Sequence, residues 1–381
     1  MNNKGTAAAG ASDPQTSLAG GWPALLVSAL VIGAALYAFS PRSQPEFPAT
    51  RVYADRILAN GIAQQGQQIV AVGEQGQILI ADDVQGPWTS AAVEPQRGST
   101  LTGIVFPAKD LAIAVGHDGW ILRSTDGGQH WKEVGFAAES DPLLGVAGPF
   151  DGRLFAYGAF GLLMSSDDQG RSWQKIELNV AGETGAAPAE AAVDPNADPF
   201  ADPFAASGDD PFANFDASAV GGHGHLNAMT QAADGSLILV GERGMLLKST
   251  DKGQSWARLP EVYSGSFFGV LSLPSKTLVA FGMRGNVFRS TDFGASWQAA
   301  KVPEQNSLFG GAVDAQGNAV LAGAGNTVLR STDDGVSFEL AAPLARNGLA
   351  DLIALPSGDW LTAGDGGIKR VEAAAPAGAQ S

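Results

Sequence analysis

Four histidines and no cysteine set the first limits on chemistry in this 381-residue chain. Without cysteine there is no disulfide, no thiol nucleophile and no cysteine metal site. His223 and His225 alternate in Gly222-His223-Gly224-His225, a spacing from which two imidazoles can share a metal. No third ligand stands near them, so neither a metal nor a cofactor is expected. His117 falls in a turn and His130 inside a repeated motif. A glycosidase using a tyrosine–glutamate nucleophile pair, an acid and three clustered arginines would have to draw on Tyr53, Tyr157 or Tyr263, the tyrosines outside an N-terminal apolar run. No Ser-His-Asp set, phosphate loop or catalytic carboxylate pair stands out, and a non-enzymatic protein is expected. The residues left are suited to binding. Arg123, Lys248, Arg289 and Arg330 occupy one repeated position, and Arg243 and Arg284 another. Phe200, Phe204 and Phe212 each close an Asp-Pro-Phe triplet. Such cations either pair with nearby carboxylates or form a basic arc for an acidic peptide or headgroup.

A repeat must position these residues. Gly73, Gly116, Gly158, Gly241, Gly282, Gly323 and Gly364 each open a Gly-x-x-Gly turn, with steps of 43, 42, 83, 41, 41 and 41 residues. The long step is one ordinary step plus an insertion. Seven copies of about 41 residues are the signature of a propeller built from four-stranded blades. Three residues after each anchor stand Gly76, Gly119, Gly161, Gly244, Gly285, Asn326 and Gly367, which suits a hairpin turn that needs positive φ. An Asp box, Ser-x-Asp-x-Gly-x-x-Trp, follows each third strand: Ser124, Asp126, Gly128, Trp131; Ser166, Asp168, Gly170, Trp173; Ser249, Asp251, Gly253, Trp256; Ser290, Asp292, Gly294, Trp297; and Ser331, Asp333, Gly335, Phe338. Copy one keeps Asp83 and Trp88, and copy seven has no box. Five copies argue for a structural part, in which Ser and Asp accept turn N–H groups and the aromatic wedges between blades. The expected fold is therefore an all-β, seven-bladed β-propeller with Asp-box hairpins, preceded by one N-terminal transmembrane helix.

In chain order, residues 1–20 read as a disordered tail. Residues 21–40 read as a membrane anchor around an uncharged run of 18 residues from Trp22 to Phe39, with Trp22 and Tyr37 near its ends. A cleaved signal peptide is the rival, and Leu36-Tyr37-Ala38 is a poor cleavage site. Lys4 lies on one side, and Arg42, Arg51 and Arg56 on the other. That charge count would leave the propeller in the cytoplasm, but a large domain behind a single anchor is usually exported, so the periplasmic side of the inner (cytoplasmic) membrane is expected. Residues 41–46 are a linker, 47–372 the propeller and 373–381 a second disordered tail. Blade seven lacks a fourth strand, and 47–55 is expected to supply it and close the ring. Residues 179–222 interrupt the propeller as a disordered insertion. Residues 181–222 hold eight acidic residues and no Lys or Arg, half of the net charge of −16. That charge argues against nucleic acid as a partner. The insertion is expected on the face of the Gly-x-x-Gly turns, as a solvated loop or as spaced phenylalanine docking motifs.

Seven copies of the frame Ala-Val-Gly-His-Asp-Gly-Trp-Ile-Leu-Arg-Ser-Thr-Asp-Gly-Gly-Gln-His-Trp (residues 114–131) resemble the photosystem II assembly/stability factor family of cyanobacteria and plastids, within the BNR/Asp-box group. The resemblance spans about residues 47–371. It implies a seven-bladed propeller outside the energy-coupling membrane that binds a membrane-protein partner through an arginine-rich patch during assembly. Three features depart from it: the uncleaved helix, the Asp-Pro-Phe insertion and an only partial basic arc. Similar propellers of non-photosynthetic bacteria imply an accessory role beside resistance-nodulation-division type transporters. The other reading is a carbohydrate-active, sialidase-like propeller, although the Phe-Arg-Ile-Pro signature of those enzymes is absent.

Overall fold

The computed structural model describes residues 22–39, 52–178, 180–181 and 224–372. The chain divides into two units at Thr50/Arg51. In the first, Trp22–Phe39 is one α-helix of 18 residues with no charged side chain. Its length and composition suit a membrane crossing, and a signal sequence would share both.

The second unit is a seven-bladed propeller. Each blade is an antiparallel meander. Blade two, for example, comprises Leu101–Ala108, Leu111–Gly116, Ile121–Ser124 and His130–Gly135. Second strands are buried throughout, as in Leu111–Gly116, Leu237–Gly241 and Leu278–Gly282. A strand covered on both faces reads as a continuous apolar run, which these do. The core comprises seven clusters, one between each pair of neighbouring blades. Trp131 of blade two, 1% exposed, packs with Val70 and Val72 of blade one, and Trp256 of blade four packs with Phe155 of blade three. Blade seven has no wedge of this kind. The aromatic between blades six and seven is Trp360, supplied by the second strand Trp360–Gly364.

Each anchor glycine meets a steric limit set by the first strand of its own blade. A Cβ at Gly73, Gly116, Gly158, Gly241, Gly282, Gly323 or Gly364 would come under 3.0 Å from the carbonyl oxygen of Leu58, Thr100, Pro142, His225, Ser266, Ser307 or Gly348 respectively. The first strand bulges opposite every anchor, as between Phe267 and Gly269 or between Leu308 and Gly310. Only glycine permits that approach. Two and three residues further on, Arg284 and Gly285 take φ of 56° and 69°, and the turns of the other blades up to blade six pair positive φ likewise, with Asn326 at 57°; in blade seven Gly367 alone is positive, at 79°. Paired positive φ is the geometry of a tight hairpin turn.

Two features differ from expectation. Blade seven is a three-stranded sheet, Leu349–Ala354, Trp360–Gly364 and Lys369–Val371. The described part of the expected closing strand, from Val52 on, does not join it. Ala54–Arg56 is instead a single 3-10 turn, closed by the Arg56 N–H donating to the Tyr53 carbonyl (3.0 Å), with the Arg56 guanidinium over the Tyr53 ring. Residues 47–51 lie outside the described residues. Among the described residues the ring is joined by the Ile368 N–H donating to the Ala54 carbonyl (2.8 Å) and by an apolar cluster linking Ala54, Ile62 and Leu79 to Leu355, Leu361 and Ile368. The second difference is a fifth, outer strand in two blades. Ala92–Glu94 runs parallel to His130–Gly135, and Val180–Ala181 parallel to Trp256–Arg258. In each case the linker leaving one blade covers the outer edge of the next.

Gly282→Ala places a Cβ against the Ser266 carbonyl and is expected to cost about 4 kcal/mol or more. Gly135→Ala meets only the Ile121 side chain at 3.5 Å or beyond and is expected to shift stability by under about 1 kcal/mol. Urea unfolding of the two variants gives the comparison, and equal midpoints would refute the steric reading.

Candidate partner-binding faces

The propeller presents two faces of opposite chemistry. One carries the Ser-x-Asp-x-Gly turns. At Ser290 the hydroxyl donates to Asp292 Oδ1 (2.7 Å) and accepts the Gly294 N–H (2.9 Å). Asp292 Oδ1 also accepts the Ser296 N–H (2.9 Å), and Oδ2 accepts the Ser296 hydroxyl (2.6 Å). Gly294 takes φ of 88°. Asp126, Asp168, Asp251 and Asp333 repeat the arrangement. The Ser296 hydroxyl, then its N–H, hold the Asp292 carboxyl at about 2. These aspartates have their acceptor capacity committed to their own turns, which is a structural task. Copy one keeps a remnant, with Asp83 Oδ1 accepting the Gln85 N–H.

The cations just before these turns are engaged on the same face. Arg330 meets Asp314 Oδ2 at 2.7 Å, and that carboxylate is itself buried. Lys248 reaches Asp234 Oδ2 (3.2 Å) and donates to the Phe293 carbonyl of blade five (2.8 Å). Arg289 donates to the carbonyl and carboxylate of Asp334 in blade six, each at 3.1 Å. Arg123 donates to the Gln169 carbonyl of blade three (2.9 Å), and burial, then Arg171, lowers its pKa. Three of the four therefore neutralise carboxylates, and three of the four reach across to the next blade. Their partners Asp234, Asp314 and Asp334 went unread in the sequence, because they sit in other hairpins at no fixed offset.

The opposite face carries the Gly-x-x-Gly turns. The residue two after the anchor sits at the turn tip with positive φ. In blades three, four and five that residue is Phe160, Arg243 and Arg284. All three are exposed, Phe160 at 56%. Neither arginine has a carboxylate within ion-pair distance among the described residues. Glu242, next to Arg243, accepts the His225 N–H (3.1 Å) and lies 3.5 Å from its imidazole. Phe160 stands edge-on to His225 at 5.0 Å between ring centres. Its neighbour Gly161 donates its N–H to the Gly224 carbonyl, where the chain returns from the insertion. The Asp-Pro-Phe residues Phe200, Phe204 and Phe212 lie outside the described residues, as does His223. Among the described residues no three His, Asp or Glu side chains gather as metal ligands. His130 pairs with Asp126 Oδ2 (2.7 Å) inside its own turn, and His117 is exposed at a turn.

A cavity of about 410 Å³ lies among the first strands. Tyr157 and Asp351 line it, with no arginine and no glutamate among the described residues. Sequence reading passed over Asp351, although its signal is present. Thirteen residues before the anchor, blades two to six carry Gly103, Gly145, Ala228, Gly269 and Gly310, and blade seven carries Asp351.

Comparison with known proteins agrees with this geometry. Residues 80–196, which include blades two and three, match the family model described as photosynthesis system II assembly factor YCF48. Over that stretch the chain is similar to the photosystem II assembly factor family. A YCF48 structure bound to a D1 peptide shares 14% identity, covering 84% of this chain and 94% of that one, with a TM-score of 0.60. YCF48 from Cyanidioschyzon merolae shares 15%, covering 83% and 96%, with a TM-score of 0.57. A streptogramin B lyase shares 12%, covering 84% and 95%, with a TM-score of 0.63. At these identities the likeness is one of fold. No curated protein matches the sequence.

Arg330→Ala removes the counter-charge of the buried Asp314 carboxylate and leaves it only the N–H donors of Gln316 and Asn318, and it is expected to destabilise by about 2 kcal/mol. Arg243→Gln and Arg284→Gln should each change stability by under about 0.5 kcal/mol. Urea midpoints decide between them; a destabilised Arg284→Gln with an unaffected Arg330→Ala would reverse the assignment of the two faces.

Proposed function

We propose that this photosystem II assembly factor-like propeller is a non-enzymatic scaffold or assembly factor that binds a membrane-protein partner. The observation that carries it is the row Phe160, Arg243 and Arg284, at equivalent turn tips of three consecutive blades. An exposed aromatic beside two arginines free of carboxylates is suited to a peptide with acidic and apolar groups. The opposite face spends most of its repeated cations on its own carboxylates, so Arg123 is its main remaining contributor. That the similar YCF48 was solved with a D1 peptide supports a segment of a membrane protein as ligand. Trp22–Phe39 serves as a single-pass anchor that holds the propeller at the periplasmic side of the inner membrane. A resistance-nodulation-division type transporter is one partner class within this reading.

The carbohydrate-active alternative calls for arginine, tyrosine and glutamate converging at the channel. The cavity lining, which among the described residues holds Tyr157 but no arginine or glutamate, favours the scaffold.

The test is a mild-detergent pull-down from membranes, read by mass spectrometry. Full-length protein is compared with the Arg243→Gln/Arg284→Gln double variant and with a chain lacking residues 194–216. Full-length protein should recover a membrane protein, and the double variant should lose it. If only the deletion loses it, the insertion is the docking element and the turn tips are not. Glycan-array binding with no protein recovered would overturn the scaffold reading.

A further inference from the structure

We propose that the central cavity is a binding site for a protonated alkylamine, whose ammonium group pairs with Asp351 and whose alkyl chain lies against Phe268 and Phe309. The site goes beyond the turn-tip surface and does not depend on it.

The argument begins with the first-strand repeat. By strand register the innermost position holds Gly61, Gly103, Gly145, Ala228, Gly269 and Gly310 in six blades, which keeps the channel open, and blade seven alone projects a carboxylate there. Asp351 Oδ2 accepts the Ile62 N–H of blade one (3.1 Å) and Oδ1 accepts the Leu352 N–H (2.8 Å). Each oxygen retains a lone pair, and the residue is half-buried at the wall of the cavity. Among the described residues no cationic side chain lines the space to neutralise it. Burial pushes this carboxyl up to about 6 against the two N–H donors, so it is ionised at neutral pH without a counter-charge in the cavity. A carboxylate in that condition gains by taking up a cation.

The walls decide which cation. Val146, Met229, Val270 and Ala350 are apolar, and Phe268 packs on Phe309 at 5.3 Å between ring centres. Phe309 is 42% exposed. Aromatic faces attract ammonium groups, and apolar walls suit methylenes better than the hydration shell of a metal ion. Among the described residues Tyr157 is the only other titratable group lining the cavity. Burial raises its pKa far enough to keep it neutral, as does the charge of Asp351. The volume of about 410 Å³ admits a short aliphatic amine.

The experiment uses full-length protein in detergent, with n-butylamine as probe, n-butanol as neutral control and potassium chloride at matched ionic strength. Calorimetry should show butylamine binding at pH 8 and weakening towards pH 5, as Asp351 takes up its proton. Asp351→Asn should bind at least about tenfold more weakly, and Phe309→Ala about threefold more weakly. Asp351→Asn also alters a contact between blades, so its melting curve without ligand is recorded alongside. Phe309→Ala, which leaves that contact intact, gives an independent reading. Butanol binding as tightly as butylamine would overturn the proposal. So would undiminished binding by a folded Asp351→Asn, displacement of the amine by potassium, or the absence of butylamine binding to the wild-type protein.

Discussion

Seven times in this chain a first-strand carbonyl occupies the space in which a Cβ of the second strand would lie. That close approach forces glycine at each anchor, and the bulge opposite it fixes which first-strand residues face the channel. The register that results is common to all blades, so the tips, the wedges and the inner lining recur at matching heights. Contacts between blades then repeat around the ring. Asn60, Thr102 and Asn227 each bond a carbonyl of the following blade's first strand. Phe268 and Phe309 replace such a bond by ring packing. At the last junction the carboxylate of Asp351 accepts from Ile62, a link across nearly the whole length of the chain.

The two faces diverge in their side-chain contacts and not in their backbone strain: Gln169, Lys252, Phe293 and Asp334 take positive φ on one face as Phe160, Arg243 and Arg284 do on the other. Each Ser-x-Asp-x-Gly turn binds its aspartate to local N–H and hydroxyl donors. The cations around it meet carboxylates from neighbouring hairpins and brace one blade against the next. In blades one to five the tip of the Gly-x-x-Gly turn is a residue with a side chain at positive φ, and in blades three to five that side chain is exposed. An arginine there has little within reach except a partner. The same tip position holds Gln75 in blade one and Asp118 in blade two, so the row of one aromatic and two arginines belongs to one sector of the ring.

Much of this was legible in the sequence. The spacing from Gly73 to Gly364 determined the number of blades, and the departure to Asn326 was readable as a positive-φ position. The wedges at Trp131, Trp256 and Trp297 followed from their offset. What escaped were interactions with no fixed offset. Val52 and Tyr53 look extended by residue type, but Arg56 stacks on Tyr53 and the segment turns. Lys248 and Arg330 pair with carboxylates 14 and 16 positions earlier, whereas Arg289 pairs with one 45 positions later; these carboxylates share no offset, although the cross-blade carbonyl bonds of Arg123, Lys248 and Arg289 do, at 46, 45 and 45 residues. Asp351 is the opposite case, a departure from the repeat that alignment of the seven copies reveals. In a repeat protein, positions that break the pattern deserve reading as closely as those that keep it.

The division of labour between the faces is tested most directly by hydrogen exchange on the full-length chain, alone and in the complex recovered from detergent-solubilised membranes. The account predicts that partner binding slows exchange at the amides around Phe160, Arg243 and Arg284. It also predicts unchanged exchange at Ser255 and Ser296, whose N–H groups are bound by Asp251 and Asp292. Protection confined to the Ser-x-Asp-x-Gly turns, with the turn tips unaffected, would contradict it.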